Sequence, residues 1–92
     1  MFNAQFHPGF KKDVKSLDHP VQRGLPAILT MILENPEIGD RLSMDLEGIY
    51  SYHFKLNRVE YRVAYAILDA EIVFFFMVGI RENFYETLKR RV

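Results

Sequence analysis

VEYRVAYAILDAEIVFFFMVGI, residues 59–80, decides the fold. Its first part alternates with period two: Tyr61, Val63, Tyr65 and Ile67 share one face, and Arg62, Ala64 and Ala66 the other. Its last part, Ile72 to Val78, is apolar on both faces and has the β-branched and aromatic content of a buried strand. Asp69-Ala70 leaves room only for a tight turn between them, so the two strands are expected to pair antiparallel. A two-residue turn sets position 62 roughly opposite 77. The doubly apolar strand is expected at the centre of the sheet.

Working outward, three strands are expected after Gly48, at roughly 49–56, 59–68 and 71–79. Arg81 closes the last of them, and a short helix, Phe84 to Arg91, follows and ends in Lys89-Arg90-Arg91. Phe2, Ala4 and Phe6 alternate with polar residues as a short first strand, which His7-Pro8-Gly9 breaks. Phe10, Val14 and Leu17 then recur at helical spacing, with Lys11, Lys12, Asp13 and Lys15 toward solvent. After a turn at Asp18-His19-Pro20, Val21, Leu25, Ile28, Leu29, Ile32 and Leu33 form the apolar stripe of a second helix. Pro26 predicts a kink there or a late start to its regular part. Asn35-Pro36 ends it, and residues 36–47 read as an acidic loop. The order is β-α-α-β-β-β-α, an α+β fold. It predicts a mainly antiparallel four-stranded sheet with a helical hairpin on one face and a short C-terminal helix, in a single domain over 1–92.

The chain of 92 residues is 49% hydrophobic and 14% aromatic, enough for one core. It has no cysteine, which excludes disulfides and thiolate metal sites and suits a reducing cytoplasm. No apolar run approaches the roughly 20 residues of a membrane helix, and no secretory signal is expected. Net charge is zero but uneven: residues 34–47 carry one base and five acids, and residues 48–92 seven bases and five acids. A strongly basic nucleic-acid-binding domain is therefore excluded, leaving a local basic surface.

That surface has candidate chemistry. Arg62 near the start of one strand and Arg81 at the end of its neighbour lie toward the same end of the sheet, and His53 and Lys55 of the preceding strand reach it too. Tyr85 follows in the next helix. Ala64 and Ala66 leave the sheet face shallow, a concavity into which Arg62 can point. A guanidinium suits a phosphate, an imidazole exchanges protons near neutral pH, and a tyrosine donates a hydrogen bond or stacks on a base. Such groups equip RNA cleavage by attack of a ribose 2′-hydroxyl on the adjacent phosphate. Each also has a plainer role. A strand arginine often pairs a carboxylate, Arg81 has Glu82 and Glu86 nearby, and His53 and Tyr85 can be ordinary surface and packing residues. His7 and His19 lack metal-ligand spacing, so no metal or cofactor is expected.

With FHPGFKKDVKSLD, ILENPEIGDRL, GIYSYHF, EYRVAY and VGIRENFYETLKRR in this order, the chain resembles the RelE/ParE toxin superfamily of type II toxin–antitoxin systems over nearly its whole length. The resemblance implies a microbial-RNase-like sheet and a companion antitoxin. For the RelE-like branch it implies ribosome-dependent cleavage of mRNA. By position, Arg62 matches the arginine of the family's tyrosine-arginine strand motif and Arg81 the arginine after the last strand. Tyr85 resembles the C-terminal catalytic aromatic. His53 and Ser51 stand where members place basic residues, including the lysine pair of the best-known branch, with Lys55 and Arg58 close by as further RNA contacts. Three functions follow as alternatives: an mRNA interferase, a ParE-like toxin that binds and poisons DNA gyrase, or a relative that keeps only antitoxin binding.

Overall fold

In the computed structural model, which describes residues 1–92, the chain runs β1 (Asn3–Phe6), α1 (Phe10–Lys15), α2 (His19–Glu34), β2 (Asp40–Arg41), β3 (Ile49–Leu56), β4 (Val59–Ile67), β5 (Ile72–Ile80) and α3 (Phe84–Arg91). Single turns of 3-10 helix, Pro36–Ile38 and Met44–Leu46, flank β2. The five strands form one sheet in the order β1-β5-β4-β3-β2. The expected α+β order holds, with one strand added. β2 is only Asp40 and Arg41, set against Ser51 and Tyr50, and two residues carry no readable alternation. One pairing, β1 on β5, is parallel, and the others are antiparallel. β5 is interior as expected, but the middle place belongs to β4.

Register departs from the expected 62-to-77 pairing in two steps. The β4–β5 connection is a four-residue loop, closed by Leu68 N–H donating to Ile72 O (2.9 Å). Asp69 Oδ1 accepts from the amides of Glu71 (2.7 Å) and Ile72 (3.0 Å), so the aspartate side chain does the work of a tight backbone turn. Farther on, Tyr65 faces Phe75 while Ala64 faces Met77, which leaves Phe76 as the extra residue of a β-bulge. Each step moves the partner by one residue, and Arg62 ends opposite Gly79.

The sheet has two unequal cores. On one face α1 and α2 bury Phe10, Leu17, Val21, Leu25 and Ile32 against Phe54, Tyr61, Val63, Tyr65, Val73, Phe75 and Val78. Pro26 sits inside a continuous α2. Its missing amide and ring clash are tolerated because Val21, Leu25 and Ile32, on either side of it, are fully packed. Tyr65, wholly buried, donates its hydroxyl to Pro36 O (2.6 Å) and accepts from Gly39 N (3.0 Å), tying the acidic loop to the core. A Cβ on Gly39 would lie 2.5 Å from that hydroxyl, so only glycine lets the loop approach. Burial pushes the Tyr65 hydroxyl up to about 12, although the Gly39 amide pulls the other way.

On the other face α3 lays Phe84 and Leu88, one turn apart, over Leu46, Ile49, Ala64 and Met77. This overturns the expectation of an open concavity above Ala64. The alanine is small because a helix sits on it, and it is fully buried. No helix is long and apolar enough to cross a membrane.

Candidate functional site

Past the edge of α3 the same face stays uncovered, and the candidate residues lie there. Cross-strand pairing sets His53 opposite Arg62, and Lys55 opposite Glu60. Arg62 has Gly79 as its other neighbour, which puts no side chain beside it. Its guanidinium instead lies against the ring of Tyr85, 5.0 Å from the centroid. Cation–π contacts of this kind are worth about 0.5–2 kcal/mol and hold the group's plane. Arg62 Nε is buried there without a partner. Such an orphan donor leaves the arginine incompletely satisfied within the protein.

β3 and β4 are joined by Asn57-Arg58 alone, with Leu56 facing Val59. Both loop residues are left-handed, with φ of 51° and 66°. This geometry matches the twist of a hairpin and favours Asn-Gly. Asparagine tolerates it, whereas an arginine in the second place carries a strain of about 1–2 kcal/mol. Arg58 is thus held at the tip of the hairpin against local preference. Such outliers cluster at functional sites.

Arg81 follows Ile80, the last paired residue of β5, which faces Tyr61. Asn83, left-handed at φ 56°, then turns the chain into α3. Arg58, Glu60, Ile80, Arg81 and Glu82 share the lining of one shallow recess. Lys55, Arg58, Arg62 and Arg81 make no ion pair with any carboxylate, because the ion pairs of the molecule involve only Arg41, His53, Lys89 and Arg91. The plain reading of the strand arginines as carboxylate partners therefore fails. His53 Nδ1 stands 3.8 Å from Glu60 Oε1, an ion pair only when the imidazole is protonated.

The fold brings His53, Arg62 and Tyr85 together and gathers Lys55, Arg58 and Arg81 around the same end of the sheet. Ser51 is the exception. Inward-facing and opposite Ala64, it is fully buried, and its Oγ has no partner. It cannot contact RNA while α3 is seated, because the second core occupies its face. Glu60 was not among the expected residues. Its signal was the period-two spacing that puts it on the Arg62 face. No group of three or more His, Asp or Glu side chains is assembled that could hold a metal. The largest cavity, about 570 Å3, lies across the sheet between Phe6, Phe10, Leu25, Pro26 and Leu29, away from all these groups.

The sequence from 5 to 89 matches the family described as ParE-like toxin of type II bacterial toxin-antitoxin system. The chain belongs to that family. Solved structures of RelE toxins share its fold. The toxin of the intact E. coli RelBE toxin-antitoxin complex is 26% identical, with 89% of this chain and 99% of that one covered at a TM-score of 0.71. The isolated E. coli RelE toxin is also 26% identical, with both chains covered throughout at 0.68. The RelBE2 complex of Mycobacterium tuberculosis matches at 20% identity, covering 87% and 98%, with a TM-score of 0.76. No curated protein sequence matches the chain. This RelE/ParE-type toxin therefore carries its unpaired cations on the scaffold shared by those toxins.

Proposed function

We propose that the toxin is a ribosome-dependent endoribonuclease that cuts mRNA by attack of a ribose 2′-hydroxyl on the adjacent phosphate. One observation carries this reading: Lys55, Arg58, Arg62 and Arg81 converge on one end of the sheet without a carboxylate partner, beside His53. Four cations without ion pairs in one place, Lys55, Arg58 and Arg81 exposed and Arg62 half-buried, suit a polyanion better than a structural role. The local excess of charge also answers the neutral total, since steering depends on the field at the site.

In the reaction, Arg62 and Arg81 hold the non-bridging oxygens and offset the charge that develops on the phosphorane. His53 or Tyr85 exchanges protons: the attacking 2′-hydroxyl loses one and the departing 5′-oxygen gains one, leaving a 2′,3′-cyclic phosphate. Lys55 and Arg58 bind flanking phosphates. The antitoxin partner seen with the RelE relatives is expected here as well.

Neutral net charge and the replacement of a lysine pair by Ser51 and His53 favour a second reading, binding and poisoning of DNA gyrase. Purified ribosomes programmed with message separate the two. The nuclease reading expects cleavage that falls at least about 10²-fold in Arg62→Ala, as for loss of one preorganised donor. No cleavage at any toxin concentration, with cleaved DNA trapped on gyrase, would replace it with the second.

A further inference from the structure

α3 has eight residues, too few to persist as a helix by themselves, since isolated helices below about 12–15 residues are marginal. Phe84 and Leu88 hold its first residue and its middle, and its last turn is held differently. Arg91 Nη1 donates to Asp13 Oδ2 (2.5 Å) and Nη2 to Asp13 Oδ1 (3.2 Å), a two-pronged pair between α1 and α3. Nη1 also donates to Phe76 O (2.9 Å), and Asp13 Oδ2 accepts from Val78 N (3.2 Å).

Those two backbone groups are on the outer edge of β5. β1 ends at Phe6, opposite Phe75, so Phe76 and Val78 have no strand beyond them. The ion pair takes the missing strand's place. Both side chains are more than four-fifths buried, unlike the exposed pairs elsewhere on the molecule. Gly9 leaves the space: a Cβ there would lie 2.9 Å from Arg91 Cζ, although its φ of −76° suits any residue. The bulge at Phe76, Gly9, Asp13 and Arg91 therefore form one built anchor.

We propose that Asp13 and Arg91 are positioning residues for the site. Arg91 pins the end of α3 and so fixes Tyr85, six residues and about 9 Å back along the axis, against the guanidinium of Arg62. The cleavage consequence rests on the nuclease reading above; the anchoring consequence does not. Neither residue reaches the recess at Arg58 and Arg81, so their effect runs through Tyr85.

Two measurements on the full-length toxin test this. Amide hydrogen exchange of Asp13→Asn, in which Asn keeps an acceptor for Val78 N but loses the charged pair, should speed up at Thr87–Val92, the hydrogen-bonded amides of α3, and stay unchanged in β3 and β4. Gly9→Ala, which crowds Arg91 without touching its partners, should do the same. Unchanged exchange in α3 would overturn the proposal whether or not the toxin cuts RNA. Ribosome-dependent cleavage by Asp13→Asn should fall about 10- to 100-fold, the scale of a misplaced group, and the same substitution should add little in a Tyr85→Ala background. An equal further loss in that background would reduce the pair to a structural contact and sink the positioning role. If the wild-type toxin cleaves nothing, the nuclease reading falls alone, and the anchor is judged by exchange.

Discussion

The two faces of the sheet are built to different standards. Beneath α1 and α2, twelve buried residues with five aromatic rings among them make a dry core, and Tyr65, its one hydroxyl-bearing residue at full burial, has both hydrogen bonds made. The apolar cluster around α3 has only six buried residues, and two polar atoms on that face, Ser51 Oγ and Arg62 Nε, have no partner. Native structures keep such orphans few, and those that persist call for an explanation. Here they lie beneath or beside the helix that carries Tyr85, at the end of the sheet where Lys55, Arg58, Arg62 and Arg81 make no ion pair. Apolar burial is concentrated on one face, and the unsatisfied groups lie on the other.

That contrast can be broken or sharpened by substitution. The largest effect is expected at Phe75, fully buried among Phe6, Phe10 and Tyr65. Phe75→Ala should remove about 3–5 kcal/mol in urea unfolding, a large part of what a small domain has. A loss below about 1 kcal/mol would show that the α1/α2 face is not where stability resides.

Tyr65→Phe should cost about 1–3 kcal/mol, because Pro36 O and Gly39 N lose their partner. It should also change the alkaline limb. Between about pH 10, where an unperturbed tyrosine releases its proton, and about 12, the folded chain keeps the Tyr65 proton and the unfolded chain does not. The unfolded state then binds fewer protons, so stability falls as pH rises through that window. The fall should be shallower in Tyr65→Phe. An identical slope would mean that Tyr65 is not the group responsible.

The smallest effect carries the opposite sign. Arg58→Gly relieves a left-handed arginine and should stabilise the toxin by roughly 0.5–1 kcal/mol while weakening RNA binding several-fold. A variant that is both more stable and equally tight on RNA would leave the strain at Arg58 without a function.

Much of this was legible in the chain. The alternation of Tyr61, Val63 and Tyr65 and the apolar run of β5 define the antiparallel pair, and the order of the strands already sets Arg62, Arg81 and His53 toward one end of the sheet. What was hidden depends on register and on distant contacts. A loop one residue out and a bulge at Phe76 move Arg62 from opposite Met77 to opposite Gly79, and no local pattern marks either. Ser51 alternates like an outward residue, yet only the docking of α3 decides that it is buried. Arg91 looks like a basic residue complementing a helix C-terminus, and its partner Asp13 is 78 positions away.

The proposed nuclease assigns the cutting of message to the uncovered end of the α3 face. Inducing the toxin alone in cells and mapping new RNA 5′ ends, with Arg81→Ala as the control, tests it most directly. In-frame cuts within translated messages that vanish in the variant are the expected result. Growth arrest without new ends, accompanied by cleaved DNA on gyrase, would contradict it.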